Sequence, residues 1–402
     1  MAKLVVSKRG RDVIASPIRK FLPFMQATEK KGIKVYKINV GDPDLQPPQE
    51  FFKVIRHYAG KTLGYTPSPG IPAHTAAWQK YFKQFGVSLP MSGIVPTVGC
   101  AEAILLAMQA VCDPGDELLV FEPLYSSYKS FSVMTNIKLV PILLPFDKNF
   151  AVPSAAEIEK KITKRTKAVV VINPDNPTGK LWSEAELNAV VKVAKKHNLF
   201  IIADETYREI RFDGKKPASL LANKAARQHV IVCDSASKRF TMPGARTGCV
   251  ASFNEEVMQT ILKFAQARLS TPTLEQLGLV PVLNNSRPYV SKIVKEYRKR
   301  RDTIAAGLSK IPGVKFKPAK GAIYQALQLP FKDTEKFVRF MISEFNYKGQ
   351  TVMVTPMQDF YITPNRGRNE IRVAYVLNSK DLAAAMEVLK RGVEAYRKKY
   401  NF

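Results

Sequence analysis

Cysteine is scarce, with four in 402 residues, and Cys100, Cys112, Cys233 and Cys249 form no C-x-x-C pair. Histidine is equally sparse, and His57, His74, His197 and His229 show no ligand spacing. A metal centre and a disulfide framework are therefore not expected, and the thiols should be reduced and buried. Long apolar runs are missing too. Stretches such as 103–108 stop far short of the ~20 residues that a membrane helix needs. The basic N-terminus carries no apolar signal core, so a cytoplasmic protein without a membrane partner is expected. Acidic residues are in deficit, 34 against 62 Lys and Arg, which leaves a net charge of +28. Such a balance suits anionic partners. Its clusters are short, however (Lys195-Lys196, Lys215-Lys216, Arg298 to Arg301), and neither zinc-finger spacing nor an RNA-binding aromatic motif accompanies them. The charge reads as a solvated basic face that also attracts anionic amino and keto acids. No specific nucleic-acid partner is expected.

What is present suffices for two domains and a substantial core. From about residue 90 to 252, short β-branched runs alternate with helical patterns. Strands are expected at 93–97, 117–122, 138–143, 168–173, 200–204, 230–234 and 248–252. Helices are expected at 101–112 and 183–197, with a shorter one near 218–224. Such alternation predicts an α/β domain with a mostly parallel sheet covered by helices. A long charged helix over 286–311 reads as a connector between domains. Beyond it, 313–329 and 370–375 look like strands of a smaller α+β unit, closed by a helix over about 380–399. The N-terminal 45 residues are too few for a domain and are expected to pack with this unit.

Functional groups of such sheets gather at strand carboxyl ends, and polar signatures fall there. Lys238 ends the run Val230-Ile-Val-Cys-Asp-Ser-Ala-Ser-Lys238, with Arg246 eight residues on. In so basic a chain a lysine is ordinarily a solvated charge, but these neighbours suit an amine nucleophile beside a phosphate. Ser235, Ser237 and Arg246 offer hydroxyls and a planar guanidinium, and Gly99 precedes an apolar helix with free backbone N–H groups. Taken singly, the serines are also ordinary turn residues. Asp204 closes the apolar strand 200–204, where a carboxylate needs a cation or serves as a helix N-cap. A protonated pyridine nitrogen would answer the first need. Asn173-Pro-Asp-Asn176-Pro-Thr-Gly179 is a rigid loop one strand earlier. Tyr125 follows another strand and could stack on an aromatic ring. Arg372 lies in an apolar strand and calls for an anionic partner.

Together with Ser16-Pro-Ile-Arg19, Asn39-Val-Gly41-Asp-Pro-Asp44, Gly64-Tyr65-Thr-Pro-Ser-Pro-Gly70 and Pro318-Ala-Lys-Gly321-Ala-Ile-Tyr324, these motifs resemble the class I/II aminotransferases of the aspartate aminotransferase superfamily. Those are the fold-type-I pyridoxal-phosphate enzymes, and the resemblance runs essentially end to end. It implies a large domain (46–285) with a seven-stranded sheet, a connecting helix (286–311) and a small α+β domain (1–45 and 312–402). Pyridoxal 5'-phosphate is the implied cofactor, with no metal.

By the same resemblance Lys238 joins the cofactor covalently and acts as the base. Asp204 pairs with its ring nitrogen, and Asn176 and Tyr207 contact its phenolic oxygen, while Tyr125 stacks on the ring. Gly99, Cys100, Ala101, Ser235, Ser237 and Arg246 hold its phosphate. Tyr65 reaches the phosphate of a second subunit, implying a homodimer. Arg372, with Gly41 and Asn176, clamps the substrate α-carboxylate.

The implied activity moves an amino group between an L-amino acid and a 2-oxo acid in ping-pong fashion. The 2-oxoglutarate/glutamate couple is expected as one pair, and an aspartate-type donor is the first expectation. A fold-type-I C–S β-lyase or related lyase or synthase is the alternative. Four features depart from the commonest pattern. Asp175 stands where a second asparagine is frequent, His74-Thr75 replaces Leu-Arg, Pro243 and Thr247 flank the arginine motif, and Ala101 stands where some aspartate-type relatives carry a lysine for a distal carboxylate.

Overall fold

The β-branched runs fold as their composition requires. The computed structural model describes residues 4–14, 16 and 19–401; Pro17 and Ile18 of the first motif, and Met1–Lys3 and Phe402 of the expected small domain, lie outside the described residues. Seven strands form one sheet in the order Ile94–Thr97, Gly248–Ser252, Val230–Ser235, Phe200–Asp204, Thr166–Ile172, Glu117–Glu122, Lys138–Leu143. Only Gly248–Ser252 runs against its neighbours. The sheet is therefore mostly parallel, as expected.

Residue parity sorts its side chains into two apolar layers. Val169, Val171, Ile201 and Val232 face Trp78, Phe82 and Trp182 on one side. Val170, Ile202, Ile231 and Cys233 face Ala103, Ile104 and Ala107 of the helix Gly99–Val111 on the other. The helix Glu184–Lys196 shows why local sequence predicts its own boundaries. Ser183 and Glu186 form a reciprocal capping box, and Lys195 and Lys196 lie in the last turn, complementing the helix dipole.

The remaining strands belong to a second layer system. Thr355–Pro356, Glu370–Ala374, Tyr324–Gln328 and Lys315–Phe316 form an antiparallel sheet in that order. Lys34–Lys37 pairs in parallel with Gln350–Met353. The chain then runs beside Glu370–Ala374, since Ala374 N–H donates to the Ile38 carbonyl at 2.8 Å and Thr355 Oγ1 to that of Asn39 at 2.8 Å. The helices Ser286–Leu308 and Ser379–Tyr400 pack together over this sheet.

Two expectations change. The helix near 218–224 is only a single 3₁₀ turn, Leu220–Ala222. Glu205 accepts the Leu220 N–H at 2.7 Å and Ser219 the Leu221 N–H at 3.3 Å, so side chains satisfy the donors that would begin a longer helix. The expected strand 313–329 is two strands, because the segment between them docks on the 173–179 loop: Lys320 and Gly321 N–H groups both meet the Gly179 carbonyl at 3.0 Å. All four cysteines are free thiols, three of them buried. Among the described residues no helix is long and apolar enough to cross a membrane.

Candidate functional site

Asp204 ends the strand Phe200–Asp204 and is only 5% exposed. Its Oδ1 accepts the Thr206 N–H at 3.1 Å and the Cys100 thiol at 3.6 Å. Burial pushes its carboxyl up to about 6, against those hydrogen bonds. A carboxylate held this way is short of a cation.

The adjacent strand Val230–Ser235 opens into a turn carrying Ser235, Ser237 and Lys238. Both serines are buried, and Ser235 Oγ accepts the Ser237 N–H at 3.3 Å. Eight residues after Lys238, Arg246 stands in a left-handed conformation at φ +48°. Its guanidinium donates to the Pro243 carbonyl at 2.9 Å and the Val98 carbonyl at 3.2 Å. Among the described residues no carboxylate pairs with it. Gly99 begins the facing helix at φ +74°, and a Cβ there would fall 2.8 Å from Arg246 Nη2. The guanidinium therefore lies beside the N-terminal end of a 13-residue helix, whose first N–H groups belong to Gly99, Cys100 and Ala101. That is an anion cradle.

Arg372 lies in the strand Glu370–Ala374 and is 1% exposed. Its Nη1 donates to Asn176 Oδ1 at 2.9 Å and its Nη2 to the Asn39 carbonyl at 2.7 Å. Nε has no partner. The Tyr324 and Phe360 rings lie 4.3 and 5.0 Å from its centre. Burial lowers its proton affinity. Neutral carbonyls and ring faces only partly offset a buried guanidinium, so an incoming carboxylate has a ready partner.

Lys238 reaches this group from the sheet side, its Nζ donating to the Gly41 carbonyl at 2.6 Å. One short segment, 39–41, thus touches both the guanidinium and the amine. Gly41 has to be glycine here, because a Cβ would sit 1.9 Å from Tyr324 Oη. Tyr207 and Tyr324 join hydroxyl to hydroxyl at 3.0 Å. Tyr125 borders the same cluster: burial raises its phenol, and Tyr324, Asp204 and Cys100 add to the rise.

The donor set is coherent: an anion suits the Gly99–Arg246 cradle, a cation suits Asp204, and a carboxylate suits Arg372. Of the residues singled out from sequence, Tyr65 alone stands apart, 84% exposed and outside these hydrogen bonds. Asp175 is buried with its carboxyl pushed up to about 7, chiefly by desolvation. It accepts the Thr178 hydroxyl and, at 3.1 Å, the Thr178 N–H, work that an asparagine oxygen could also do. Sequence reasoning gave no role to Tyr324, although a tyrosine in so apolar a strand must find a hydroxyl partner. The Asn39 carbonyl had no signal at all.

Comparison with known proteins bears on the whole chain. An aspartate aminotransferase of Pyrococcus horikoshii is 28% identical over 402 residues, covering 98% of each chain. An LL-diaminopimelate aminotransferase of Natranaerobius thermophilus is 29% identical, covering 90% of this chain and 93% of its own. The solved alanine aminotransferase of Pyrococcus furiosus superposes with a TM-score of 0.88 at 28% identity, over 97% of this chain and all of that one. The family model described as aminotransferase class I and II matches residues 33–389, and this chain belongs to that family.

Proposed function

We propose that the chain transfers an amino group between an L-amino acid and a 2-oxo acid with pyridoxal 5'-phosphate as resident cofactor. The observation that carries the reading is the 39–41 segment, where the Lys238 amine meets the Gly41 carbonyl and the Arg372 guanidinium meets the Asn39 carbonyl two residues earlier. Gly99, Cys100, Ala101, Ser235, Ser237 and Arg246 would hold the phosphate, and Tyr125 would lie against the ring. Asn176 and Tyr207 would meet its phenolic oxygen, and Asp204 its nitrogen. When bound, the cofactor supplies an aldehyde that can carry the amino group and a ring that draws electrons from the substrate Cα.

The chain's own residues then do the rest. Arg372 orients the α-carboxylate in a fork, with Asn176 and Gly41 beside it. Lys238 would take the proton from the substrate Cα and return it two bonds away, beyond the amino nitrogen. Asp204, when ionised, would pair with a protonated ring nitrogen and favour that protonated form. Tyr65, exposed here, would complete the phosphate site of a second subunit in a homodimer. We assign residues 46–285 to a large domain, 286–311 to a connecting helix, and 1–45 with 312–402 to a small domain, in a cytoplasmic enzyme. Aspartate is the first donor to try, with 2-oxoglutarate as acceptor, because an aspartate aminotransferase is among the relatives. The diaminopimelate and alanine enzymes in the same comparison widen the screen.

The test is a half-reaction. Purified protein loaded with pyridoxal phosphate is mixed with single amino acids, and its visible absorption is followed. Conversion to the amino form, with one equivalent of keto acid and no ammonia, is expected. Release of ammonia without an acceptor would instead identify a lyase, and no spectral response to any donor would sink the reading.

Arg372 should matter through binding. Arg372→Gln should lower kcat/KM for the donor by about 10²–10³-fold, mostly through KM, as loss of a buried carboxylate partner does. Steady-state kinetics with the best donor checks this.

A further inference from the structure

Beneath the strand ends lies a second layer of charged side chains to which the proposed reaction assigns nothing. Glu205, Arg208, Glu209, Asp234 and Arg239 are each at most 7% exposed. Tyr81 joins them from the helix Pro72–Lys83. Arg239 donates to the Tyr81 hydroxyl at 2.7 Å, to Asp234 Oδ2 at 3.0 Å and to the Glu205 carbonyl at 3.2 Å. Arg208 meets the same Asp234 oxygen at 2.5 Å and pairs with the Glu205 carboxylate. Glu209 accepts the Tyr81 hydroxyl and lies 3.6 Å from Arg239 Nε.

The order along the chain gives this layer its meaning. Glu205 follows Asp204, Arg208 follows Tyr207, Asp234 precedes Ser235, and Arg239 follows Lys238. Asp204, Tyr207, Ser235 and Lys238 thus each have a chain neighbour in the layer. Arg239 bridges the Asp234 carboxylate of one strand and the Glu205 carbonyl just past the end of the next. Those are the two strand ends from which Lys238 and Asp204 emerge. Buried ion pairs contribute little net stability compared with an apolar replacement of the same volume. Forked guanidinium contacts at low dielectric are strongly directional. Geometry is therefore what such a layer supplies best.

We propose that this buried ionic layer is a positioning device, holding the Lys238 amine and the Asp204 carboxylate at a set separation and orientation. The inference rests on the proposed function for those two residues. Arg239 and Tyr81 act through them and touch neither substrate nor cofactor.

Two variants of the loaded enzyme test it. Tyr81→Phe removes one hydroxyl and leaves its ring packed against Trp78 and Phe85. Arg239→Lys keeps the charge but cannot span Asp234, Tyr81 and the Glu205 carbonyl together. Misplacement by a fraction of an ångström should lower kcat about 10-fold for Tyr81→Phe and about 100-fold for Arg239→Lys, with KM within about twofold because Arg372 is untouched. Cofactor dissociation from the resting enzyme, followed by spin filtration, should quicken at least about tenfold for Arg239→Lys. The cofactor-free Tyr81→Phe protein should melt close to the parent. If both variants keep the parental kcat and dissociation rate while only the melting temperature falls, the layer is structural and the proposal fails. If Arg239→Lys does not fold, Tyr81→Phe decides by the same criterion. A parent enzyme with no half-reaction would overturn the aminotransfer reading instead, and cofactor retention would still judge the layer.

Discussion

Lys238→Ala is expected to lower kcat for amino-acid donors by at least about 10⁴-fold, since attachment point and general base are lost together. Pyridoxal phosphate should still bind, more weakly and without a covalent bond. The Gly99 helix start, Ser235 and Arg246 do not depend on the amine, which donates to the Gly41 carbonyl. Single-turnover absorption would read the first effect and quenching of Trp78 and Trp182 fluorescence the second. A variant that turns over near the parental rate would remove Lys238 from the chemistry.

Asp204→Asn should act in opposite directions on activity and stability. The Asp204 carboxyl titrates near 6 in the folded cofactor-free protein, raised by burial from 3.8. A carboxyl with a raised folded pKa favours the fold fully below its unfolded value. That contribution is lost as pH rises through the folded one. Ionised Asp204 at pH 8 therefore costs the cofactor-free protein about 3 kcal/mol, roughly two pKa units. Asparagine keeps an oxygen for the Thr206 N–H and cannot ionise. The cofactor-free variant should melt above the parent at pH 8, and the two should converge near pH 4. Activity should fall about 10³-fold, because an amide cannot hold a ring nitrogen protonated. Calorimetry across that pH range, with kcat at pH 8, checks both halves. Parallel melting curves at every pH would show that Asp204 bears no such strain.

Three of the residues that sequence reasoning found share one property: each is a charged side chain that interrupts or ends an apolar run. Asp204 closes Phe-Ile-Ile-Ala, Arg372 breaks a buried strand, and Lys238 follows Val-Ile-Val-Cys. Burial makes such residues anomalous, and the structure places them together. Arg208 and Arg239 carried no such mark among 62 basic residues, because their partners come from two strand ends and a distant helix. The Asn39 carbonyl was invisible for a different reason, since every residue has one and only tertiary structure aims it. The 3₁₀ turn at Leu220–Ala222 was misjudged because Glu205, fifteen positions away, takes its donor. Tertiary partners overrode local propensity there.

The Arg372 contacts also say something about time. Arg372 meets Asn176 across 196 residues of chain and Asn39 across 333, whereas the Gly99–Arg246 cradle is complete by residue 246. During synthesis the N-terminal part emerges first, so the residues of the anion cradle are made long before Arg372. Contacts of such long separation also close slowly. Competence is the last property this chain acquires, and it arrives with the strand Glu370–Ala374.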